Sequence, residues 1–177
     1  HRLIFMLIDQ LKAAIETYPN FPTKGIMFKD LTPILRNPDL FNKLIKKMSN
    51  ASWFKDSECI VGIDARGFIF ASGVALFLSK PLILARKPGK LPGNLIEESY
   101  KLEYGVNTLS MQLESLKNYK SFAIVDDLLA TGGTVNSIVE ILKNQNKIIN
   151  GLSVVVELNE LNARSKFNFE VSSIINF

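Results

Sequence analysis

Hydrophobic residues recur along the chain in two spacings, and each spacing predicts a different kind of element. Near the start, apolar residues at helical spacing from Leu7 to Ile15 predict an amphipathic helix that Pro19 ends. Residues 20–33 are rich in aromatics but irregular, so we expect a loop there. Helical spacing returns after a proline, which predicts a second helix over residues 38–48.

Beyond residue 58 the pattern changes to short, largely apolar runs that are typical of buried strands. Such runs occupy residues 59–63, 81–85, 121–125 and 152–156, and two further strands are predicted at residues 99–103 and 106–113. Helices are predicted after the first and third runs, through residues 70–78 and 138–142. Because strands alternate with helices, we expect an α/β protein with a mostly parallel central sheet flanked by helices. Ligands should bind beyond the carboxyl ends of the strands.

The segment from residue 86 to residue 98 separates two of these strands and has a different composition. It contains two prolines, two glycines and three positive charges, so we expect a long mobile loop. Lys87 and Lys90 lie on it and could neutralise an anionic leaving group once the loop closes over a site.

Composition limits the chemistry that the chain can perform. Its 177 residues suit a single domain, which we predict over residues 7–177, with residues 1–5 left over from recombinant expression. Because Cys59 is the only cysteine and His1 the only histidine, we expect no disulfide, no Cys/His metal cluster and no histidine-dependent triad. The net charge of +4 forms no basic stripe, so nucleic acid is not an expected partner. We predict no export signal and no membrane span.

The most informative motif follows the strand at residues 121–125. Asp126 and Asp127 come first, then Ala-Thr-Gly-Gly-Thr at residues 130–134, and then a helix. Glycines let a ligand approach the backbone, and the amides of a helix start point at it, so a phosphate monoester fits there. The paired aspartates can accept hydrogen bonds from two neighbouring hydroxyls, such as those of a ribose. Neither a Walker A lysine nor a G-x-G-x-x-G spacing is present, which argues against a nucleoside triphosphate or a dinucleotide.

A second turn follows the strand at residues 59–63. It reads Asp64-Ala65-Arg66-Gly67 and offers backbone amides together with one guanidinium. This combination suits the oxygens of a pyrophosphate group.

Residues 124–134 resemble the phosphoribosyl-pyrophosphate signature of type I phosphoribosyltransferases, in the form found in the adenine-specific branch of that family. Further blocks that resemble the family occur in the same order at residues 21–30, 64–68, 86–93 and 102–105. The resemblance runs from about Leu7 to Leu158. It implies the type I phosphoribosyltransferase fold, with a small hood and a flexible catalytic loop. It also implies a purine-salvage reaction in which adenine and 5-phosphoribosyl-1-pyrophosphate give AMP and pyrophosphate, carried out with Mg²⁺ by a cytoplasmic homodimer.

The resemblance also assigns roles to individual positions. It implies that phosphate and ribose are bound by Asp126, Asp127, Ala130, Thr131, Gly132, Gly133 and Thr134, and pyrophosphate by Asp64, Ala65, Arg66, Lys87 and Lys90. The base would be bound by Met27, Phe28, Lys29 and Leu158, and the catalytic residues would be Glu103, Arg66, Lys87 and Tyr104. Glu103 would protonate or hydrogen-bond N7 of the purine, while Tyr104 shapes the closed site. The matching turn of the family often contains a cis peptide between Asp64 and Ala65.

The sequence leaves two details of the site undecided, which are the contact of Lys29 with the base and the ligands of the metal ion. At Lys29 the family commonly has arginine, so Lys29 could contact the base through its side chain or through its backbone. No protein ligand set for a metal is predicted, because Mg²⁺ would be held mainly by the substrate pyrophosphate and by water.

Two alternative functions remain. The first is a phosphoribosyltransferase for another base, which would share the acidic motif. The second is a regulator that uses a phosphoribosyl-pyrophosphate site as a sensor, although no nucleic-acid-binding extension is evident in the sequence.

Overall fold

The computed structural model describes residues 1–102 and 105–177, and these residues divide into two compact units. The smaller unit comprises residues 1–47 and the larger one residues 48–177. Within this described part of the chain, no helix has both the length and the apolar character that crossing a membrane requires.

The smaller unit is built from helices and one hairpin. Its elements are α1 (Arg2–Ala14), β1 (Glu16–Pro19), β2 (Met27–Asp30), α2 (Thr32–Leu35) and α3 (Pro38–Met48), the last ending one residue beyond the unit. The predicted second helix is confirmed as α3. Leu11 of α1 and Ile34 of α2 are fully buried, and the two helices are in contact.

The prediction that the first helix continues to Pro19 and that an irregular loop follows is wrong. Helix α1 ends at Ala14, because Ile15 adopts an extended backbone with φ −76° and ψ 123°. Glu16–Pro19 then pairs antiparallel with Met27–Asp30. The hairpin turn is closed by the Asn20 side chain, whose Oδ1 accepts a hydrogen bond from the Gly25 N–H at 2.9 Å. Pairing with a second strand therefore overrides the helical spacing, which contains no information about that partner.

The larger unit has a five-stranded parallel sheet in the order β4-β3-β7-β8-β9, as predicted for an α/β protein. The strands are β3 (Cys59–Ile63), β4 (Leu82–Ala85), β7 (Ser121–Leu129), β8 (Ile148–Glu157) and β9 (Glu170–Asn176). A separate antiparallel hairpin joins β5 (Leu95–Leu102) to β6 (Gly105–Gln112). The helices are α4 (Gly67–Leu78), α5 (Leu113–Lys117) and α6 (Gly133–Asn144), with 3₁₀ turns at Ser52–Asp56, Asn159–Leu161 and Ala163–Lys166.

Helices cover both faces of this sheet, as expected. Val61 and Ile124 belong to a buried cluster that also contains Ile138 of α6. Gly62, the residue after Val61 in β3, faces α4 instead. A Cβ added at Gly62 would lie only 2.8 Å from the Cβ of Ala71 in α4. Because consecutive strand residues point to opposite faces, a continuous apolar run fits a strand that is buried on both sides.

Several strand boundaries differ from the predicted ones. Strand β7 continues through Asp126 and Asp127 to Leu129, and β9 was not predicted at all. Strand β5 begins at Leu95, so the predicted loop over residues 86–98 is shortened to residues 86–94. The hairpin pairs Leu95 with Gln112, so residues 95–98 of the predicted loop are strand residues.

Cys59 is fully buried in β3. Burial raises the pKa of its thiol to about 12, so the thiol stays protonated and unreactive at neutral pH.

Candidate active site

A cavity of about 260 Å³ lies where β3 and β7 end. It is lined by Asp64, Ala65, Arg66 and the continuous stretch from Asp126 to Val135. Parallel strands place their carboxyl ends at one edge of the sheet, and that is the usual position of a ligand site in such folds. The structure thus brings together the segments predicted for pyrophosphate, ribose and phosphate.

The turn after β3 is held by contacts with the end of β4. The Asp64–Ala65 peptide is cis, as the resemblance implied. Asp64 Oδ2 lies 3.2 Å from Arg86 Nε and 3.4 Å from the Lys87 backbone N. The Arg86 guanidinium also lies 5.6 Å from the centre of the Phe68 ring. Asp64 therefore neutralises Arg86 and fixes the start of the loop that carries Lys87.

Asp126 and Asp127 are buried although both are acidic. Asp126 Oδ1 accepts a hydrogen bond from the Asp127 N–H at 2.8 Å. Burial, and secondly the neighbouring Asp127 carboxylate, raise the pKa of Asp126 well above its ordinary value. Gly67 allows this arrangement, because a Cβ there would lie 2.5 Å from Asp126 Oδ1. The pair is thus enclosed by the first turn of α4.

Asp127 faces the one guanidinium of the predicted pyrophosphate turn. Its Oδ2 lies 3.0 Å from Arg66 Nε. The contact is an ion pair without hydrogen-bond alignment, since this buried oxygen has no hydrogen-bond partner within the described residues. A buried carboxylate oxygen without an aligned donor is costly, and a substrate hydroxyl would satisfy it.

Residues 130–134, which we name the phosphate loop after the role predicted for them, lead from β7 into the first turn of α6. Gly132 has φ +86°, a backbone conformation that side chains other than glycine rarely adopt. Helix α6 begins at Gly133, whose N–H donates to Thr131 Oγ1 at 3.4 Å. The loop therefore presents a helix start and hydroxyls to the cavity, as a phosphate site requires.

Tyr100 of β5 contacts this loop and was not identified from the sequence. The Thr134 hydroxyl donates to the Tyr100 hydroxyl at 3.2 Å, and Tyr100 Cδ2 would lie 3.1 Å from a Cβ added at Gly133. Nothing in the spacing of the chain indicates a tyrosine on a different hairpin as a neighbour of the phosphate loop.

Some of the other predicted residues do not line this cavity, and two lie outside the described residues. Lys87 and Lys90 are exposed and are not among the residues that line it. Leu158 is half-buried next to the end of β7, and its N–H donates to the Leu129 carbonyl at 3.0 Å. Glu103 and Tyr104 lie outside the described residues, so their assignments stay predictions.

Met27, Phe28 and Lys29 are consecutive residues of β2 in the smaller unit. Met27 is exposed, and Phe28 packs edge-on against Phe21 at 5.0 Å between ring centres. Lys29 Nζ donates to Thr17 Oγ1 at 3.0 Å. In this structure the Lys29 side chain is thus used within the hairpin.

Comparisons with known proteins identify the family of the chain. A model of the phosphoribosyl transferase domain matches residues 30–175. The chain is 66% identical over 172 residues to an adenine phosphoribosyltransferase of Prochlorococcus marinus, covering 97% of this chain and 100% of the relative.

Two solved structures are similar in fold over nearly the whole chain. Adenine phosphoribosyltransferase from Rhodothermus marinus has a TM-score of 0.91 and 32% identity, and the match covers 98% of this chain and 99% of that one. The enzyme from Saccharomyces cerevisiae, complexed with an imino-altritol bisphosphate and adenine, has a TM-score of 0.88 and 37% identity, with 96% and 99% covered. The chain has the type I phosphoribosyltransferase fold and belongs to the phosphoribosyltransferase family, in its adenine phosphoribosyltransferase branch.

Proposed function

We propose that the cavity at the ends of β3 and β7 binds 5-phosphoribosyl-1-pyrophosphate and that the protein transfers its phosphoribosyl group to adenine. The products are AMP and pyrophosphate. The observation that carries this proposal is the single cavity wall formed by Asp64, Ala65 and Arg66 together with residues 126–135. One ligand with a phosphate, a ribose and a pyrophosphate can contact all of these groups.

The phosphate loop is proposed to hold the 5′-phosphate. Ala130 and Thr131 to Thr134 provide main-chain N–H groups and two threonine hydroxyls, and the helix dipole of α6 favours an anion at its start. Asp126 and Asp127 are proposed to hold the ribose hydroxyls. The buried Asp127 Oδ2 can accept such a hydroxyl, while its ion pair with Arg66 keeps the carboxylate in place.

The acidic pair also affects the bond that breaks. Cleavage at the anomeric carbon builds positive charge on the ribose ring, and a buried carboxylate nearby stabilises that charge. The raised pKa of Asp126 means that its carboxyl group takes up a proton at a higher pH than an ordinary aspartate does. A developing cation would instead favour the ionised form.

Pyrophosphate is proposed to leave towards Asp64, Ala65, Arg66, Lys87 and Lys90. Arg66 and the two lysines offset its negative charge, and main-chain amides of the turn donate hydrogen bonds. Closure of the loop that carries Lys87 and Lys90 would exclude water, which could otherwise capture the ribosyl cation.

Mg²⁺ is proposed as the cofactor, bound mainly by substrate oxygens and water. The described residues contain no group of three or more His, Cys, Asp or Glu that could hold a metal ion. Magnesium in phosphate-transfer sites commonly uses one or two carboxylates plus substrate oxygens, so the donors available at Asp126 and Asp127 are compatible with this ion. When bound, Mg²⁺ would neutralise charge on the leaving pyrophosphate.

Adenine is proposed to contact Met27, Phe28, Lys29 and Leu158. Phe28 would stack on the ring, and the backbone of Met27 and Lys29 would recognise its edge. The contact of Lys29 Nζ with Thr17 favours the backbone over the side chain for this role. Glu103 is proposed to protonate or hydrogen-bond N7, and Tyr104 to shape the closed site.

The protein is further proposed to be a cytoplasmic homodimer. Helix α4 carries exposed apolar residues on one face, with Ile69 38%, Leu76 82% and Phe77 52% accessible. These three positions share a helical stripe, and burying such a stripe against a second copy would stabilise a dimer. Light scattering tests this association, and a fully active monomer would contradict it.

The reaction is tested by measuring AMP formation from adenine, phosphoribosyl pyrophosphate and Mg²⁺, with hypoxanthine and guanine as competing bases. Adenine should have the highest kcat/KM. Asp127→Asn should lower it by at least about 100-fold, because the charge that faces the ribosyl cation is lost. Asp39→Asn is a matched control, since Asp39 is an exposed residue of α3 that pairs with Lys43 one helical turn away. Preference for another base, or no turnover of any base, would refute the proposal.

A further inference from the structure

The segment 163–167 packs directly against the phosphate loop, and we name it the strap. Lys166 Nζ donates to the Thr131 carbonyl oxygen at 2.6 Å. The neighbouring Phe167 ring approaches Gly132, where an added Cβ would lie 3.1 Å from Phe167 Cζ and 3.3 Å from Ala163 Cβ. Two consecutive residues of the phosphate loop are thus contacted by three residues of the strap.

The strap is itself fixed to the sheet by Arg164. This guanidinium makes a bidentate contact with Glu157 at the end of β8, with Nη2 at 2.6 Å from Oε1 and Nε at 3.2 Å from Oε2. Its Nη1 also donates to the Val171 carbonyl at 2.9 Å. Because Arg164 lies two residues before Lys166, this anchoring restricts where the lysine can reach.

The contact with Lys166 constrains the peptide between Thr131 and Gly132. In a trans peptide the carbonyl and the following N–H point in opposite directions. An ammonium that holds the Thr131 carbonyl on the strap side therefore directs the Gly132 N–H to the opposite side. A loop whose amides are already oriented does not have to be ordered when an anion binds.

The distribution of charge around the phosphate loop also favours anion binding with the help of Lys166. The phosphate loop reads Ala-Thr-Gly-Gly-Thr and contains no cationic side chain. Asp126 and Asp127 precede it and are acidic, while Arg66 lies against Asp127. The ammonium of Lys166 brings a positive charge to the backbone of the loop itself.

We propose that Lys166 is a positioning residue for phosphate binding, and that the strap through it holds the Thr131–Gly132 peptide ready for a phosphate monoester. This inference rests on the proposed function, because it assumes that residues 130–134 bind the 5′-phosphate of the substrate.

The test compares Lys166→Met, Lys166→Arg and Lys143→Met with the unmodified chain. Methionine keeps the length of the side chain but removes the charge and the donor, whereas arginine keeps both. Lys143 is a matched control, because it is an exposed lysine in the last turn of α6, far along the helix from the phosphate loop. It lines, together with Lys166, a surface groove between α6 and residues 166–169. Thermal unfolding of each variant checks that it is folded.

Calorimetry measures binding of ribose 5-phosphate and, separately, of inorganic pyrophosphate with Mg²⁺. Lys166→Met should raise the Kd for ribose 5-phosphate by about tenfold, as expected for one lost charge-assisted contact at an exposed site. Its Kd for pyrophosphate should change by less than about twofold, and Lys166→Arg should recover most of the lost affinity. In steady state, KM for phosphoribosyl pyrophosphate should rise about tenfold while kcat at saturation stays within about twofold.

Each other outcome contradicts a distinct claim. If the unmodified chain binds ribose 5-phosphate and Lys166→Met binds it equally well, Lys166 does not position the loop. An equal loss in Lys143→Met would indicate a long-range charge effect instead of a contact with Thr131. An equal loss for pyrophosphate would indicate general damage to the site. If the unmodified chain binds no ribose 5-phosphate and makes no AMP, the proposed function itself fails.

Discussion

Replacing Glu157 by glutamine should destabilise the protein by about 2 kcal/mol at neutral pH. The Glu157 side chain is buried, and it accepts hydrogen bonds from Arg164 and from the Ser173 hydroxyl, which lies 2.9 Å from Oε1. Glutamine has nearly the same shape, but it loses the charge and places an amide group towards the guanidinium. Hydrogen bonds to charged groups contribute roughly 1.5–3 kcal/mol, and breaking a fully buried ion pair costs about 3–5 kcal/mol. The Arg164 side chain is 49% exposed, so solvent screens it and the lower part of these ranges applies.

The loss should depend on pH with a defined sign. The hydrogen bond from Arg164 is the main cause that holds the pKa of Glu157 below its ordinary value. A glutamate in the unfolded chain titrates at about pH 4.3. Above that pH the folded and unfolded chains are both ionised at this position, and the full stabilisation is present. As the pH falls through about 4.3 towards the lower folded pKa, the unfolded chain takes up the proton first and the stabilisation is lost.

Urea unfolding of the unmodified chain and of Glu157→Gln at pH 7, and at successively lower pH while both remain folded, measures this difference. At pH 7 the variant should also melt about 4–8 °C lower, given roughly 2–4 °C per kcal/mol in a chain of this size. Glu160→Gln is the matched control, because Glu160 is an exposed carboxylate in the 3₁₀ turn that follows β8. A difference below about 0.5 kcal/mol, or one that stays constant as the pH falls below 4, would refute the reasoning.

Three further predictions concern the active site. Gly132→Val should weaken ribose 5-phosphate binding at least about tenfold in calorimetry. The backbone φ of +86° at this position is unfavourable for valine, and the nearby Phe167 ring leaves little room for its side chain. Unchanged affinity would contradict this prediction. Glu103→Leu should slow single-turnover AMP formation more than Glu103→Gln, by up to about 10²–10⁴-fold if the residue is the general acid. Rates equal to the unmodified chain in both variants would remove that role. Hydrogen exchange over residues 87–94, which precede β5, should be fast without ligand and slower with bound substrate, and slow exchange in both states would exclude a mobile loop.

The sequence by itself determined four strands of the central sheet and the turn at residues 130–134 that precedes α6. Residues 59–63 and 122–125 are continuously apolar because both faces of these parallel strands are covered, and that requirement is visible without knowledge of any partner. The phosphate loop could be predicted for a similar reason. A glycine at a sharp turn and the start of a helix are local features, so residues 130–134 contain the information that they need.

Elements at the margins of the fold could not be predicted in this way. Glu16–Pro19 becomes a strand only because Met27–Asp30 lies beside it. Strand β9 is an edge strand with mixed burial, and its pairing with β8 makes it a strand. Such pairs are stabilised by contacts between two strands, and the periodicity of residues within one strand contains no information about those contacts.

Only the tertiary structure decided the environment of the site residues. The pKa of Asp126 is raised because α4, beginning at Gly67, encloses its carboxyl group beside Asp127. Lys166 and Tyr100 reach the phosphate loop across 35 and 34 positions of the sequence. Burial, charge pairing and hydrogen bonding act through space, so a residue's neighbours at such separations follow from how strands and loops are packed and cannot be derived from the spacing along the chain.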